Sequence, residues 1–251
     1  MLKYFILLIA FLSLVNGHGY SIYPPARQYV CISNPKNSIW WPVDGSGIVD
    51  EFCRDAYTYV YNRNGQSQEQ AVKQFTQKNE YAVLIPDYDQ GFNALKNAVP
   101  SSLCSAGAND SSLNFGDKSG MSIASSWPFT TLQCDSDNHM CKVEINYCAT
   151  AVHNPSFWEI YLSENYDPTS SELTWDDLEL VSDFGNILPT HTTHPGCTSS
   201  DAYVFTTSIP MRSSPATMLI RWQRDDPVGE CFINCCDVNF STSAKFLSVQ
   251  K

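Results

Sequence analysis

After Ser101 the chain settles into a period of two. Val143, Ile145 and Tyr147 are interleaved with Lys142, Glu144 and Asn146. Trp158, Ile160 and Leu162 follow, then Tyr203, Phe205, Thr207 and Ile209, then Met218, Ile220 and Trp222, and last Phe232, Asn234, Cys236, Val238 and Phe240. Turn residues such as Asp167-Pro168 and Pro195-Gly196 separate the runs. Short alternating runs with such punctuation predict strands of an antiparallel β-sandwich. From Gly19 to about Pro100 the pattern is irregular, broken by Pro24-Pro25, Pro35, Pro42 and Gly45-Ser46-Gly47. Two helices are expected inside it. Cys53, Ala56, Tyr57, Val60 and Tyr61 share one helical face, and Ser67 with Gln70 resembles a capping box before Ala71, Val72 and Phe75. This segment reads as a partly helical insertion at one end of the sandwich.

The chain opens differently. Lys3 precedes an almost unbroken apolar run from Tyr4 to Val15, and Gly17 is a small residue with Val15 two positions before it. That is the pattern of a secretory signal peptide over residues 1–17. The run is shorter than the roughly eighteen residues a membrane span needs. A secreted, extracellular protein is expected, with residues 18–251 forming one domain and no membrane partner.

A cut after Gly17 changes the chemistry of the next residue. His18 would carry a free α-amine and an imidazole, two nitrogens on one residue that can chelate a metal, and this donor type suits Cu(II). A second ligand is needed, and His139, His153, His191 and His194 are available. His139 sits in a turn bounded by Cys134 and Cys141. His191 and His194 have a helical ligand spacing, but Pro195 and the neighbouring threonines oppose a helix there. His153 lies in the turn joining two predicted strands, where a sandwich displays side chains at its end. Spacing alone leaves it one candidate among several.

Charge and cysteines narrow the partners. The formal charge is −11 over 251 residues, without the Lys and Arg clusters that phosphate binding requires, so nucleic acid is excluded. A neutral polymer or small ligand fits better. Ten cysteines in an exported chain predict five disulfides, one of them closing the hairpin between Cys134 and Cys141. The other pairings are open. The sequons Asn109-Asp110-Ser111 and Asn239-Phe240-Ser241 are candidate glycan sites. No Ser-His-Asp or paired-carboxylate motif stands out, which leaves hydrolysis without support.

Longer motifs carry a resemblance. His18-Gly19-Tyr20 with Pro24-Pro25-Ala26-Arg27-Gln28, the segment Cys148-Ala149-Thr150-Ala151-Val152-His153, and the run Arg221-Trp222-Gln223-Arg224-Asp225-Asp226-Pro227-Val228-Gly229-Glu230-Cys231-Phe232-Ile233-Asn234-Cys235 resemble the lytic polysaccharide monooxygenases of the chitin-binding type, auxiliary-activity family ten. Within that family they look like the fusolins. Asn79-Glu80-Tyr81-Ala82 and Phe115-Gly116-Asp117-Lys118-Ser119-Gly120-Met121 match too, so the resemblance spans the chain from His18 onward. It implies an immunoglobulin-like or fibronectin III-like sandwich bearing a copper histidine brace made of His18 and His153. Phe232 stands where the family places a non-donating axial aromatic, and Ala151 matches the small residue that crowds the other axial side. Glu230 matches a polar position near the oxygen-binding face, with a solvated loop carboxylate as the alternative. The implied activity is oxidative cleavage of crystalline chitin, at C1, using an external electron donor and hydrogen peroxide or dioxygen, by a monomer.

Some residues depart from the family pattern. Cys134, Cys141, Cys231 and Cys236 look like additions, and Ile233 replaces a common tyrosine. An added disulfide beside Phe232 is expected to affect its ring. The repeat-rich tail of fusolins has no counterpart, so no tail-borne role is expected. Tyr57, Tyr59, Tyr61, Tyr81 and Tyr88 form a pool of rings for sugar stacking. Two other classes compete with the enzyme: a non-catalytic chitin-binding or coat protein of the same fold, and an exported copper carrier.

Overall fold

The structure, a computed structural model, describes residues 17–242. The signal-peptide expectation falls almost wholly outside the described residues. The first strand, β1 (His18–Tyr23), leads through a turn into α1 (Arg27–Ser33). Then come α2 (Glu51–Arg63), α3 (Gln68–Thr76), the short β2 (Ala82–Leu84) and α4 (Phe92–Ala98). Apart from loops and short 3-10 turns, the remaining elements are strands: β3 (Thr130–Cys134), β4 (Met140–Ala151), β5 (Ser156–Ser163), β6 (Leu178–Phe184), β7 (Thr190–His191), β8 (Asp201–Pro210), β9 (Ala216–Arg224) and β10 (Glu230–Thr242). No helix among the described residues is long and apolar enough to cross a membrane.

The strands follow the order β6-β5-β9-β10-β3-β4-β8-β7, with β1 added to β4 and β2 to β10. All pairs are antiparallel except β3 with β10. β3 meets β4 at Cys134 and Cys141, and there the sheet curls so that its two halves face each other. Val143, Ile145 and Tyr147 from one half pack against Trp158, Ile160, Met218, Ile220, Trp222 and Phe232 from the other. The period-two pattern is thus the inner face of a sandwich.

The outward-facing positions of β9 and of the first half of β10 are not solvated. Every residue of β9 is buried. Leu219, Cys231, Ile233 and Cys235 point to the outer face, where Leu95, Val99 and Leu103 from the insertion cover them. The insertion therefore clothes a flank of the sandwich as well as its end. Its helices α2 and α3 enclose their own small core of Ala56, Tyr57, Ala71, Val72 and Phe75. Ser67 caps α3 by accepting from Gln70 N at 3.3 Å. The seven-residue helices α1 and α4 show no comparable signal in the sequence, and neither has a side-chain cap.

The disulfides correct one expectation. Four bonds form among the described residues: Cys31–Cys53, Cys104–Cys235, Cys134–Cys141 and Cys148–Cys197. Cys231 and Cys236 are buried free thiols. Both lie on β10 five residues apart, which puts them on opposite faces and roughly 17 Å from each other, whereas a disulfide needs Cα atoms within about 7 Å. No added disulfide flanks Phe232 on this strand. Thiol alkylation followed by intact mass should give no addition on native protein and two after denaturation without reductant. No addition after denaturation would mean that Cys231 and Cys236 are oxidised.

Candidate metal centre

The position of His18 is set by the pairing of β1 with β4, in which His18 lies opposite Ala151 and Gly19 opposite Ala149. Glycine is required at 19: a Cβ there would lie 2.4 Å from Tyr147 Cε1 and 2.6 Å from the Cys148 carbonyl oxygen. Gly19 N donates to Asn79 O at 3.0 Å, and Ser21 N donates to Asn234 Oδ1 at 2.9 Å, tying β1 to the insertion and to β10. The half-buried His18 ring has Nε2 3.8 Å from Glu80 Oε1. Its centroid is 6.4 Å from that of Phe232.

His153 follows β4 by two residues, in the turn before β5. The Tyr203 hydroxyl accepts from His153 N at 3.0 Å and lies 3.1 Å from His153 O, so the turn is clamped from β8. Asn154 Nδ2 donates to Ile187 O at 2.8 Å on the other side. The imidazole Nε2 is 3.1 Å from Asp226 Oδ2, and the buried Nδ1 has no protein partner. Burial holds the imidazole below its ordinary pKa, reinforced by Arg224 and opposed by Asp226. The neutral form, which a metal requires, is favoured.

Asp226 belongs to a fixed relay. Its Oδ1 accepts from Val228 N and Gly229 N, both at 2.9 Å, in the turn between β9 and β10. Gly229 has φ of 62° and a Cβ there would lie 2.0 Å from Ile85 O, so this turn needs glycine. Arg224 Nε donates to Asp226 Oδ2 at 2.9 Å, and its second arm reaches Glu230 Oε2 at 2.7 Å. Burial still raises the Asp226 carboxyl, but these donors outweigh it and hold the group below the usual carboxylate range. Glu230 is 2% exposed and opens β10, so the solvated-loop alternative is overturned. Burial pushes its pKa up, while Arg224 pulls it down.

Phe232 is fully buried and stacks on Trp222 at 4.9 Å between centroids. It presents a face without donor atoms. Gly17, still joined to His18, fills the remaining space: a Cβ there would lie 3.0 Å from Trp222, 3.4 Å from His153 Cβ and 3.4 Å from Phe232. His18, His153, Phe232, Ala151 and Glu230 are thereby brought to one end of the sandwich. His139 lies at the other end of β4, roughly 40 Å away by strand rise. His191 and His194 are exposed on the β7 side, and His194 Nδ1 accepts from Gly196 N.

Three functional neighbours escaped sequence reasoning: Asp226, Arg224 and Tyr203. The first two lie inside the long run ending at Cys235, where alternating charge at 224 and 226 was the available signal. The stacking pool also divides. Tyr57 and Tyr81 are core residues with no exposed surface. Tyr88 is brought near: its hydroxyl donates to Asp225 Oδ1 at 2.5 Å beside Asp226, and that bond with some burial pushes its pKa up to about 12. The rings standing farthest into solvent are Trp40 and Trp41, 60% and 71% exposed, on a loop that sequence reasoning passed over.

The donor set fits copper: two imidazoles, one with an orphaned buried nitrogen, and a donorless ring between core and site. No cluster of three or more His, Cys, Asp or Glu able to hold a metal occurs among the described residues. A two-imidazole site of the histidine-brace kind makes no such cluster, because its third donor is main-chain nitrogen.

This curled, disulfide-stapled sandwich has the fold of the lytic polysaccharide monooxygenases. The chain belongs to auxiliary-activity family ten: the model of the family described as lytic polysaccharide mono-oxygenase, cellulose-degrading, matches residues 18–238. It is 41% identical over 243 residues to spindolin of Heliothis armigera entomopoxvirus, covering 92% of this chain and 68% of the spindolin. It is 30% identical over 237 residues to a lytic cellulose monooxygenase of Streptomyces ambofaciens, covering 90% and 54%. Among solved structures, fusolin from spindles of a Wiseana entomopoxvirus superposes with a TM-score of 0.82 at 38% identity, covering 90% of this chain and 83% of that one. A cellulose-active lytic polysaccharide monooxygenase in complex with copper superposes at 0.64 with 24% identity, a likeness of fold, covering 90% of this chain and all of that one at 100%.

Arg224→Ala should leave Glu230 and Asp226 uncompensated and destabilise the protein by about 3–5 kcal/mol. Thermal denaturation should show a fall on the order of 10 °C, partly restored by adding Glu230→Gln. An unchanged midpoint would mean the relay contributes nothing to the fold.

Proposed function

We propose that removal of residues 1–17 yields a secreted, single-domain copper-dependent monooxygenase of residues 18–251 that cleaves crystalline chitin with C1 oxidation. The observation that carries the reading is the register of β1 on β4, which sets His18 beside the turn bearing His153. Cutting after Gly17 would turn the His18 nitrogen from an amide into an amine and vacate the space against Trp222 and Phe232. The family is copper-dependent, and its members are generally secreted and act on insoluble polysaccharide with an external reductant.

Each neighbour then has a task. His18, through its amine and ring, and His153 would hold the copper. Copper held there would supply redox chemistry toward C1 of a sugar, with an external electron donor and hydrogen peroxide or dioxygen as co-reactants. Asp226 faces the His153 ring while Tyr203 holds its main chain, Phe232 keeps water and ligands from one side, and Ala151 limits room on the other. Arg224 keeps the Glu230 carboxyl next to the site in place. Tyr88, Trp40 and Trp41 offer faces on which sugar rings stack. Of the two sequons, Asn109 stands at the exposed turn over 110–114, whereas Asn239 lies within β10 with its Oδ1 buried, so a glycan is proposed at Asn109 alone.

A second reading has support of its own. The spindolin and fusolin relatives are named for viral spindles, which favours a spindle or coat protein using the same fold. The two readings separate at the metal. Secreted protein should begin at His18 and bind one Cu(II) tightly, with His153→Ala abolishing tight uptake. Protons compete for an α-amine of reference pKa about 7.7–8.0 and imidazoles near 6.5, so apparent affinity should fall from about pH 8 to pH 4. A flat profile, or a chain blind to copper, would leave the spindle reading. In a separate assay, Trp40→Ala with Trp41→Ala should weaken retention on chitin severalfold, and retention by the parent should change little between low and moderate salt because the polymer is neutral.

A further inference from the structure

On the flank of the sandwich, a cavity of ≈ 320 Å³ lies between β1, α1 and the loop before β8. The pairing of β1 with β4 explains it. Tyr20 lies opposite Cys148, so both side chains leave the same, outer face of the sheet. The Cys148–Cys197 disulfide draws the loop over them. The Tyr20 hydroxyl secures it by donating to Gly196 O at 2.8 Å and accepting from Thr198 N at 3.3 Å. Helix α1 supplies the opposite wall. Its Tyr29 and Ile32 share one helical face, and the Tyr29 ring stacks on Tyr20 at 5.6 Å between centroids. A Cβ at Gly196 would lie 2.0 Å from the Tyr29 hydroxyl, so glycine is what lets the loop close on that ring.

The third wall is Lys78. Its carbonyl oxygen accepts from Gln28 Nε2 at 3.4 Å, which holds the residue beside α1, and its Nζ stands 5.3 Å from the centre of the Tyr20 ring. Among the described residues no carboxylate or carbonyl oxygen bonds that ammonium. Every other described basic side chain that is partly or fully buried has an oxygen partner. It is a carboxylate for Arg27, Lys73, Arg212, Arg221 and Arg224, and a main-chain carbonyl for Arg54 and Lys118. Burial lowers the Lys78 pKa, the mark of a charge that has lost water without gaining a counter-charge.

The lining limits the occupant. The volume falls at the lower end of the roughly 300–1,000 Å³ of small-molecule pockets, which admits one ring with its substituents and excludes a polymer surface. A neutral ring would leave Lys78 without a counter-charge. A compact anion such as phosphate would leave the Tyr29 ring and the Ile32 side chain uncovered. A carboxylate on a planar ring satisfies both: the carboxylate accepts a charge-assisted bond from Lys78, and the ring lies against Tyr29. The Tyr29 hydroxyl, without a hydrogen-bond partner among the described residues, is left for a polar substituent on that ring.

We infer that this cavity is a binding site for small aromatic carboxylates. It goes beyond the metal reading and does not depend on it, because no wall residue is a proposed copper ligand or a proposed stacking ring for sugar.

The test titrates 4-hydroxybenzoate, phenol and inorganic phosphate into the protein and follows the side-chain resonances of Tyr29 and Ile32. Saturable shifts are expected with 4-hydroxybenzoate, and none with phenol or phosphate at the same concentrations. Lys78→Met should weaken 4-hydroxybenzoate binding about tenfold, a change of about 1.4 kcal/mol. Because Lys78 bonds no protein oxygen through its ammonium, the thermal midpoint of this variant should equal or exceed the parent's. Shifts that never saturate, equal binding of phenol, displacement by equimolar phosphate, or Lys78→Met binding within twofold of the parent would each overturn the site. So would a midpoint several degrees lower in Lys78→Met, which would give the ammonium a role in the fold instead. Protein blind to copper that still binds 4-hydroxybenzoate would sink the metal reading and leave this one standing. Tight copper uptake without the shifts would do the reverse.

Discussion

The antiparallel pairing of β1 with β4 is the constraint on which the rest of the site depends. It brings a residue from the beginning of the folded chain against the end of a central strand, so that His18 lies across from Ala151 and close to His153. The pairing tolerates little variation. Gly19 touches the Tyr147 ring and the Cys148 carbonyl, and Asn234 on β10 receives both Ser21 N and Gln28 Nε2 through one oxygen. A one-residue slip in β1 would turn the His18 side chain to the other face. The disulfide Cys148–Cys197 fixes the same stretch of β4 from the opposite direction.

Burial of charge is the second organising feature, and it follows from the insertion covering the outer face of β9 and β10. Three guanidinium groups lie inside: Arg27 with Asp237, Arg221 with Glu159, and Arg224 with Asp226 and Glu230. Each has its carboxylate, as buried charges must. Arg27 also donates to Met121 O and lies over the Trp127 ring, joining α1 to the segment before β3 as well as to β10. The rigid fork of arginine suits such roles better than lysine would. At the site the result is a partly buried carboxylate held beside His153 by hydrogen bonds from Arg224, Val228 and Gly229.

Legibility in the sequence followed the range of the interaction. The inner face of the sandwich was readable because period-two alternation is local, and α2 and α3 because a helical stripe and a Ser67 cap are local too. The helices α1 and α4 were hidden because seven residues hold too few turns to show a stripe. Counting cysteines overshot, since the count ignores that residues 231 and 236 stand on opposite faces of one strand. Exposure was the least readable property. Tyr57 and Tyr81 stood in the pool of stacking rings and are core, while Trp40 and Trp41 are held outward by a loop whose order comes from long-range contacts, such as Gln68 Nε2 to Trp40 O and Tyr57 OH to Val43 O. Glu230 could not be judged without knowing that Arg224 lies beside it.

Gly17 gives the proposed chemistry a direction in time. While the bond to His18 is intact, the main-chain nitrogen is an amide whose lone pair is delocalised into the carbonyl, and it does not compete for a metal as an amine does. A Cβ on that residue would lie within 3.4 Å of Trp222, His153 and Phe232, so on the proposed reading the peptide preceding His18 and an open metal face would compete for the same space. On the proposed reading, the single cut that creates the chelating nitrogen is also the one that clears the room beside it. Tight copper uptake would then follow processing and never precede it, keeping an oxidising centre closed until the leader is removed.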